Sequence, residues 1–196
     1  VTRQALERGM TVKGFVYAGN VEDERVEVVN KSLFDVTKED IADCDVMISA
    51  YGSGFDADPT LNHKAFLKYI ELNEGTKRHL IAIGGAGSLF TDSTHTTYCY
   101  ETPEHPDFLR EISKNIKLGI DELKKTSDVN WTVVCPSSFF DSEGALTGNY
   151  EIGTEEQVIF NEAGESRVTY EDLAMAMLDI AEADNYNQKQ ITVLTK

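Results

Sequence analysis

The sequence predicts an α/β protein with a doubly wound, mostly parallel sheet. Three observations carry this expectation. Strand-like and helix-like segments alternate along the chain. Four of the strands are short, apolar and β-branched, as strands covered on both faces are. Three strands also run directly into small residues, at "SAYGSG" (49–54), "GGAGSL" (84–89) and "CPSSFF" (135–140).

Taken in order, residues 2–8 are helix formers, and Gly9 stands where a C-terminal cap belongs. "TVKGFVY" (11–17) and "RVEVVN" (25–30) read as strands. "DVTKEDIADC" offers Thr37 as an N-cap with Asp40 three residues on, a short helix or turn. "DVMISAYG" (45–52) is a buried strand ending in glycine. In "TLNHKAFLKYIELNEG", Leu61, Ala65, Tyr69 and Leu72 form the apolar stripe of a helix closed by Gly75. "HLIAIGGAG" (79–87) is a further buried strand, and residues 91–106, with Pro103 and Pro106, read as a loop. A long helix is expected at about 107–125, with Phe108, Ile112, Ile116, Ile120 and Leu123 on one stripe. After the strand "WTVVCP" (131–136) comes a Gly- and Glu-rich region, with short strands expected at about 149–152 and 157–161. Thr169 should cap a helix that buries Leu173, Met177 and Ile180, and "QITVLT" (190–195) closes the chain as a strand. Residues 1–196 show no repeat or linker, so a single domain is expected, with a small substrate-side region at about 137–165.

With 41% hydrophobic and 27% charged residues the composition is that of a soluble globular protein, and no stretch approaches a membrane span. The net charge of -16 repels phosphate backbones, so nucleic acid is not an expected partner. Three widely spaced cysteines, Cys44, Cys99 and Cys135, do not make a disulfide framework and fit a reducing cytoplasm. His95 and Cys99 form one isolated pair beside His105, with no Cys-x-x-Cys, so no metal site is expected.

In an open α/β sheet, ligands bind beyond the carboxyl ends of the strands, and small residues there let a flat ligand approach the backbone. The three small-residue strand ends therefore outline a cleft. Gly52-Ser53-Gly54 does not suit the phosphate loop itself, because the next helix begins only near Thr60. A dinucleotide loop opens straight into a helix, whose amides hold the pyrophosphate.

At these residues the chain resembles a known family. "ALERGMTVKGFV", "LFDVT", "DVMISAYG", "IAIGGAGSL", "WTVVCPSSFF" and "SRVTYEDLAMAMLD" are similar to NmrA-like, NAD(P)H-binding members of the atypical short-chain dehydrogenase/reductase superfamily. More narrowly they resemble bacterial proteins described as NADH-flavin reductases. The resemblance implies a Rossmann sheet of order 3-2-1-4-5-6-7. It also implies an opening strand and a Gly-rich loop ahead of "ALERG", so that roughly 12–15 residues would precede Val1.

The resemblance also implies site residues. Tyr17 stands where family members often carry an Arg for the 2′-phosphate of NADP, which weakens an expected preference for NADPH, with Lys13 or Arg25 as possible substitutes. Ser32 matches an Asp near the adenine, and Leu33 would lie against that ring. Ala50, Tyr51 and Gly52 would line the adenine ribose and pyrophosphate. Gly84 and Gly85 would lie near the nicotinamide. Ser88 is the candidate catalytic hydroxyl, hydrogen-bonding carboxamide or substrate. Pro136 and Ser137 would cover the nicotinamide, and Ser138, Phe139 and Phe140 the substrate. The expected cofactor is NAD(P)H, with FMN or FAD as a substrate rather than a tightly bound group, in a monomer or homodimer.

Ordinary short-chain dehydrogenases move the alcohol proton with a Tyr-x-x-x-Lys pair. None of the eight tyrosines here is followed four residues later by Lys. Reduction of a flavin or quinone asks less of the protein, since the cofactor donates hydride and solvent supplies the proton. Two functions are therefore expected: an NAD(P)H-dependent reductase of a flat acceptor, or a non-catalytic NAD(P)-binding redox sensor.

Overall fold

The computed structural model describes residues 1–19 and 21–196. Its first element, α1 (Thr2–Glu7), ends as the sequence predicts. Gly9 has φ +78°, its amide donates to Leu6 O at 3.0 Å, and the Met10 amide donates to Ala5 O at 3.0 Å. This double closure needs a left-handed residue, which glycine adopts without a Cβ penalty. The chain then enters β1 (Val12–Val16) and β2 (Val26–Asn30), which pair in parallel.

The strands β3 (Val46–Ser49), β4 (His79–Ile83), β5 (Asn130–Pro136) and β9 (Lys189–Thr195) form a second sheet, each pairing in parallel with the next. The fifth member, β7 (Tyr150–Gly153), runs antiparallel along the outer edge of β9. The order is β3-β4-β5-β9-β7, with β1–β2 a separate two-stranded sheet. Among the described residues no hydrogen-bonded ladder joins β1 to β3, so the single continuous sheet implied by the resemblance is here interrupted. Residues from both sides of the interruption, Phe15 and Met47, pack on one small cluster of Val36, Ile41 and Leu72.

Strand periodicity explains why both faces of the larger sheet are covered. Leu80 and Ala82 of β4, with Trp131, Val133 and Cys135 of β5, point to one face. There they meet Ala65, Phe66 and Tyr69 of α2 (Thr60–Asn73) and Ile120 and Leu123 of α3 (Asp107–Lys124). Ile81, Val134, Ile191 and Val193 point to the other face, against Leu173, Ala176, Met177 and Ile180 of α4 (Tyr170–Ala183). The helices α2 and α3 approach closely because α3 carries Gly119 where they meet: a Cβ there would lie 2.5 Å from the Phe66 ring. On the other face α1 is fastened to α4, with Gln4 donating to Glu171 O at 3.0 Å and Arg8 paired to Asp179 at 2.7 Å.

Several expectations change. The stripe of α3 does not bury Phe108, which is 64% exposed; burial along this helix begins only at Ser113, past its first turn. No strand forms over 157–161. Its amides and carbonyls are satisfied instead by single contacts, with Val158 N donating to Phe90 O and Gln157 O accepting from Thr192 Oγ1. The unforeseen strands β6 (Phe139–Asp141) and β8 (Arg167–Thr169) pair in parallel, closed by an Asp141–Arg167 ion pair. Thr37 and Asp40 do form the expected reciprocal pair, at 3.4 and 2.8 Å, over a single turn. No helix among the described residues is long and apolar enough to cross a membrane.

Candidate functional site

Because β3, β4 and β5 are adjacent, parallel and in register, their carboxyl ends lie side by side: Ser49 stands opposite Ala82, and Ile83 opposite Val134. The three small-residue segments therefore share one edge of the sheet, as the cleft argument requires. Gly52 is exposed and has nothing within 4 Å of an ideal Cβ position, so the β3 end offers open backbone. Tyr51 is half-buried, meets Phe34 edge-on at 5.7 Å, and so links the β2 end to the β3 end. Burial pushes its phenol above the ordinary range. Below it, Ser49 Oγ donates to Tyr69 OH at 2.7 Å. Ser32 caps the turn that carries Leu33 and Phe34, accepting from the Phe34 amide at 3.3 Å, and Leu33 packs into the core beside it. Tyr17, at the end of β1, is almost fully exposed.

The β4 end is built differently from the expectation. A Cβ at Gly84 would lie 2.6 Å from Cys135 Sγ, so this glycine is required by packing against β5. Gly85 has room, its Cβ position being 3.6 Å from Ile116. The Ser88 side chain is buried and turned inward. Its hydroxyl donates to Gly85 O at 2.8 Å and accepts from Gln190 Nε2 at 3.2 Å. In this structure it holds the glycine turn from within. Cys135 shares this cluster, and complete burial pushes its thiol up. In sequence, a hydroxyl after a glycine turn reads the same whether it points out or in.

At the β5 end, Pro136 and Ser137 are buried, and Ser137 Oγ donates to Val193 O at 2.7 Å. Ser137 therefore ties β5 to β9 through both its hydroxyl and its amide, which donates to the same carbonyl at 3.1 Å. Ser138 and Phe139 are exposed, both held by Ser166: its hydroxyl accepts from Ser138 N and its carbonyl from Phe139 N. Phe140 turns back under Tyr170, with ring centroids 3.9 Å apart.

The structure also brings together residues that the sequence leaves apart. The Lys117 ammonium sits 4.5 Å from the centroid of the Tyr98 ring, is paired to Asp121 at 2.5 Å, and stays protonated because these partners outweigh its burial. Tyr98 in turn stacks between Phe90 and Tyr100. Nineteen positions of loop and helix separate Tyr98 from Lys117, so no local spacing could signal the contact. Asn62 is buried on α2 and anchors the loop after β3, donating to Ser53 Oγ at 2.8 Å and Pro59 O at 3.1 Å. The two cations considered for a 2′-phosphate are engaged elsewhere: Lys13 with Asp43 at 2.9 Å, and Arg25 with Asp23 at 2.6 Å.

A cavity of about 740 Å³ opens at the opposite edge, by the amino ends of β3 and β4. Its wall includes Arg78, whose guanidinium is occupied by the carbonyls of Ile41, Leu72 and Cys44. The carboxyl edge is the better candidate, because there three strands deliver open backbone and exposed aromatic rings together. Among the described residues no group of three His, Cys, Asp or Glu side chains converges as a metal site.

A parallel sheet with helices on both faces and small residues at adjacent carboxyl ends defines a dinucleotide-binding α/β protein. The chain belongs to the NAD(P)H-binding family whose model matches residues 1–184. Among its relatives is YwnB of Bacillus subtilis, an uncharacterized protein 32% identical over all of this chain and 92% of its own length. A solved structure from Streptococcus pneumoniae, of a protein provisionally described as an NADH-flavin reductase, is also 32% identical. It superposes with a TM-score of 0.92 over 100% of this chain and 92% of that one. A Lactobacillus casei protein, 20% identical, shares the fold with a TM-score of 0.87 over 98% of this chain and 91% of its own.

Proposed function

We propose that this protein is an NAD(P)H-dependent oxidoreductase that reduces a flat acceptor, a flavin or quinone, by hydride transfer. The observation that carries the reading is the alignment of the β3, β4 and β5 ends, with open backbone at Gly52 and Gly85 and an exposed ring at Phe139. The S. pneumoniae relative's description agrees with it.

In this reading Tyr17 stands at the position that meets the 2′-substituent of the adenine ribose, Ser32 and Leu33 flank the adenine, and Ala50, Tyr51 and Gly52 line the ribose and pyrophosphate. Gly84, Gly85, Pro136 and the Ser137 backbone bound the nicotinamide. Ser88 fixes the Gly85 turn that bounds the ring, as a positioning residue. Ser138, Phe139 and Phe140 form the acceptor side. A bound dinucleotide would supply a hydride to an acceptor that takes its proton from solvent, so the protein would need no acid of its own. Its task is to hold two flat rings face to face and limit water between them.

Steady-state oxidation of NADH and NADPH with menadione, riboflavin or FMN tests the proposal. The expected result is turnover that falls in Phe139→Ala, whose exposed ring contributes little to the core. Equal, tight binding of oxidised and reduced dinucleotide without turnover would replace this reading with the redox-sensor one.

A further inference from the structure

The carboxyl edge carries two more exposed rings that no role yet covers. Phe55 lies on the loop after β3, and Phe108 in the first turn of α3. Because β4 and β5 are parallel, the intervening α3 must start at the carboxyl side of the sheet, which places both rings on the same edge as Phe139. They meet edge to face, with centroids 5.6 Å apart and planes at 88°. Yet they are 72% and 64% exposed, so their contact with each other covers little of either ring. The loop beneath Phe55 is pinned by Asn62 through Ser53, which gives the shelf a fixed base.

The charges around this shelf are acidic. Segments 53–64 and 104–114 carry Asp56, Asp58, Glu104, Asp107 and Glu111 against three cations. Each cation already faces a carboxylate: Lys64 to Asp58 at 4.0 Å, Arg110 to Asp107 at 3.2 Å, and Lys114 to Glu111 at 3.9 Å. A phosphate here would meet uncompensated negative charge within a chain of net charge -16.

We infer that Phe55 and Phe108 form an aromatic shelf for the acceptor, and that the acceptor is a flat, uncharged ring rather than a phosphorylated flavin. This rests on the reductase reading of the same edge and names its substrate class. Offset or edge-on stacking supplies the attraction, and the acidic rim supplies the discrimination.

Quenching of riboflavin and FMN fluorescence by the protein, with saturating NAD⁺, tests this without needing turnover. The expected result at low salt is riboflavin bound at least about threefold more tightly than FMN, the gap closing as salt screens the rim. The double variant Phe55→Ala/Phe108→Ala should weaken riboflavin about three- to tenfold with its circular dichroism unchanged. Asp56→Asn/Asp107→Asn should tighten FMN and leave riboflavin unaltered. FMN binding equal to or tighter than riboflavin at low salt, no riboflavin binding, or an unaffected Phe double variant would each overturn the inference. Riboflavin binding with these responses but no NADH oxidation would sustain the shelf and remove the reductase reading instead.

Discussion

Asp172 is the residue whose loss should tell most about how the acceptor side is held. It is fully buried at the start of α4, and its carboxylate takes four hydrogen bonds. Oδ1 accepts from the amides of Thr147 and Gly148 at 2.9 and 3.0 Å. Oδ2 accepts from the hydroxyls of Thr147 and Thr195, both at 2.8 Å. One side chain thus ties the 147–148 turn, the end of β9 and the first turn of α4. Burial pushes its carboxyl up, but the donors together outweigh burial and hold it below the ordinary range. In Asp172→Ala the hydroxyls can turn to other partners, but the two amides lose their acceptor. Hydrogen bonds to a charged group contribute about 1.5–3 kcal/mol each, so losing the two from these amides should cost the variant about 3–6 kcal/mol. That corresponds to a Tm lower by roughly 6–24 °C for a chain of this size. Asp172→Asn keeps an oxygen for the amides and should lose less, about 1–3 kcal/mol.

The pH dependence follows from the direction of the shift. A carboxyl lowered on folding contributes stability above its unfolded pKa of about 3.9, and that contribution is lost as pH falls through the lower folded value. The difference between wild type and Asp172→Asn should therefore be flat above about pH 5 and shrink below pH 4. Urea unfolding across pH 3–7, read by far-UV circular dichroism, checks both statements. A loss under about 1 kcal/mol for Asp172→Ala, or a difference growing toward low pH, would refute the reasoning.

Two further predictions concern other parts of the fold. Gly119→Ala should destabilise by about 1–3 kcal/mol, because its Cβ would lie 2.5 Å from the Phe66 ring, and this outweighs the roughly 1 kcal/mol that alanine gains in a helix. An unchanged or raised melting temperature would mean that α2 and α3 are not packed as described. His79 is buried with Nε2 2.8 Å from Thr132 Oγ1, whose hydroxyl donates to Tyr186 O, so the ring proton lies on Nε2 and Nδ1 is bare. Burial lowers its pKa more than Asp184, 3.4 Å away, raises it. Stability should therefore fall as pH drops below about 6.5, and His79→Gln should flatten that slope in thermal melts between pH 5 and 7.5.

Much of this protein was legible in its sequence. The alternation of elements, the Gly9 closure of α1, the Thr169 cap accepting from Asp172 N at 3.0 Å, and the three converging strand ends all follow from local signals. Those signals are short-range: a helix period, a cap geometry or a glycine's torsion is set by neighbours in the chain. Tertiary structure alone decided the rest. That the Ser88 hydroxyl meets Gln190, that Gly84 makes room for Cys135, and that Phe108 stays outside the core are decided by segments distant in sequence. The same holds for the Lys117–Tyr98 contact and for the four donors around Asp172. Periodicity states which side of an element is apolar. What stands opposite that side, and how near, depends on distances between elements that no local pattern encodes.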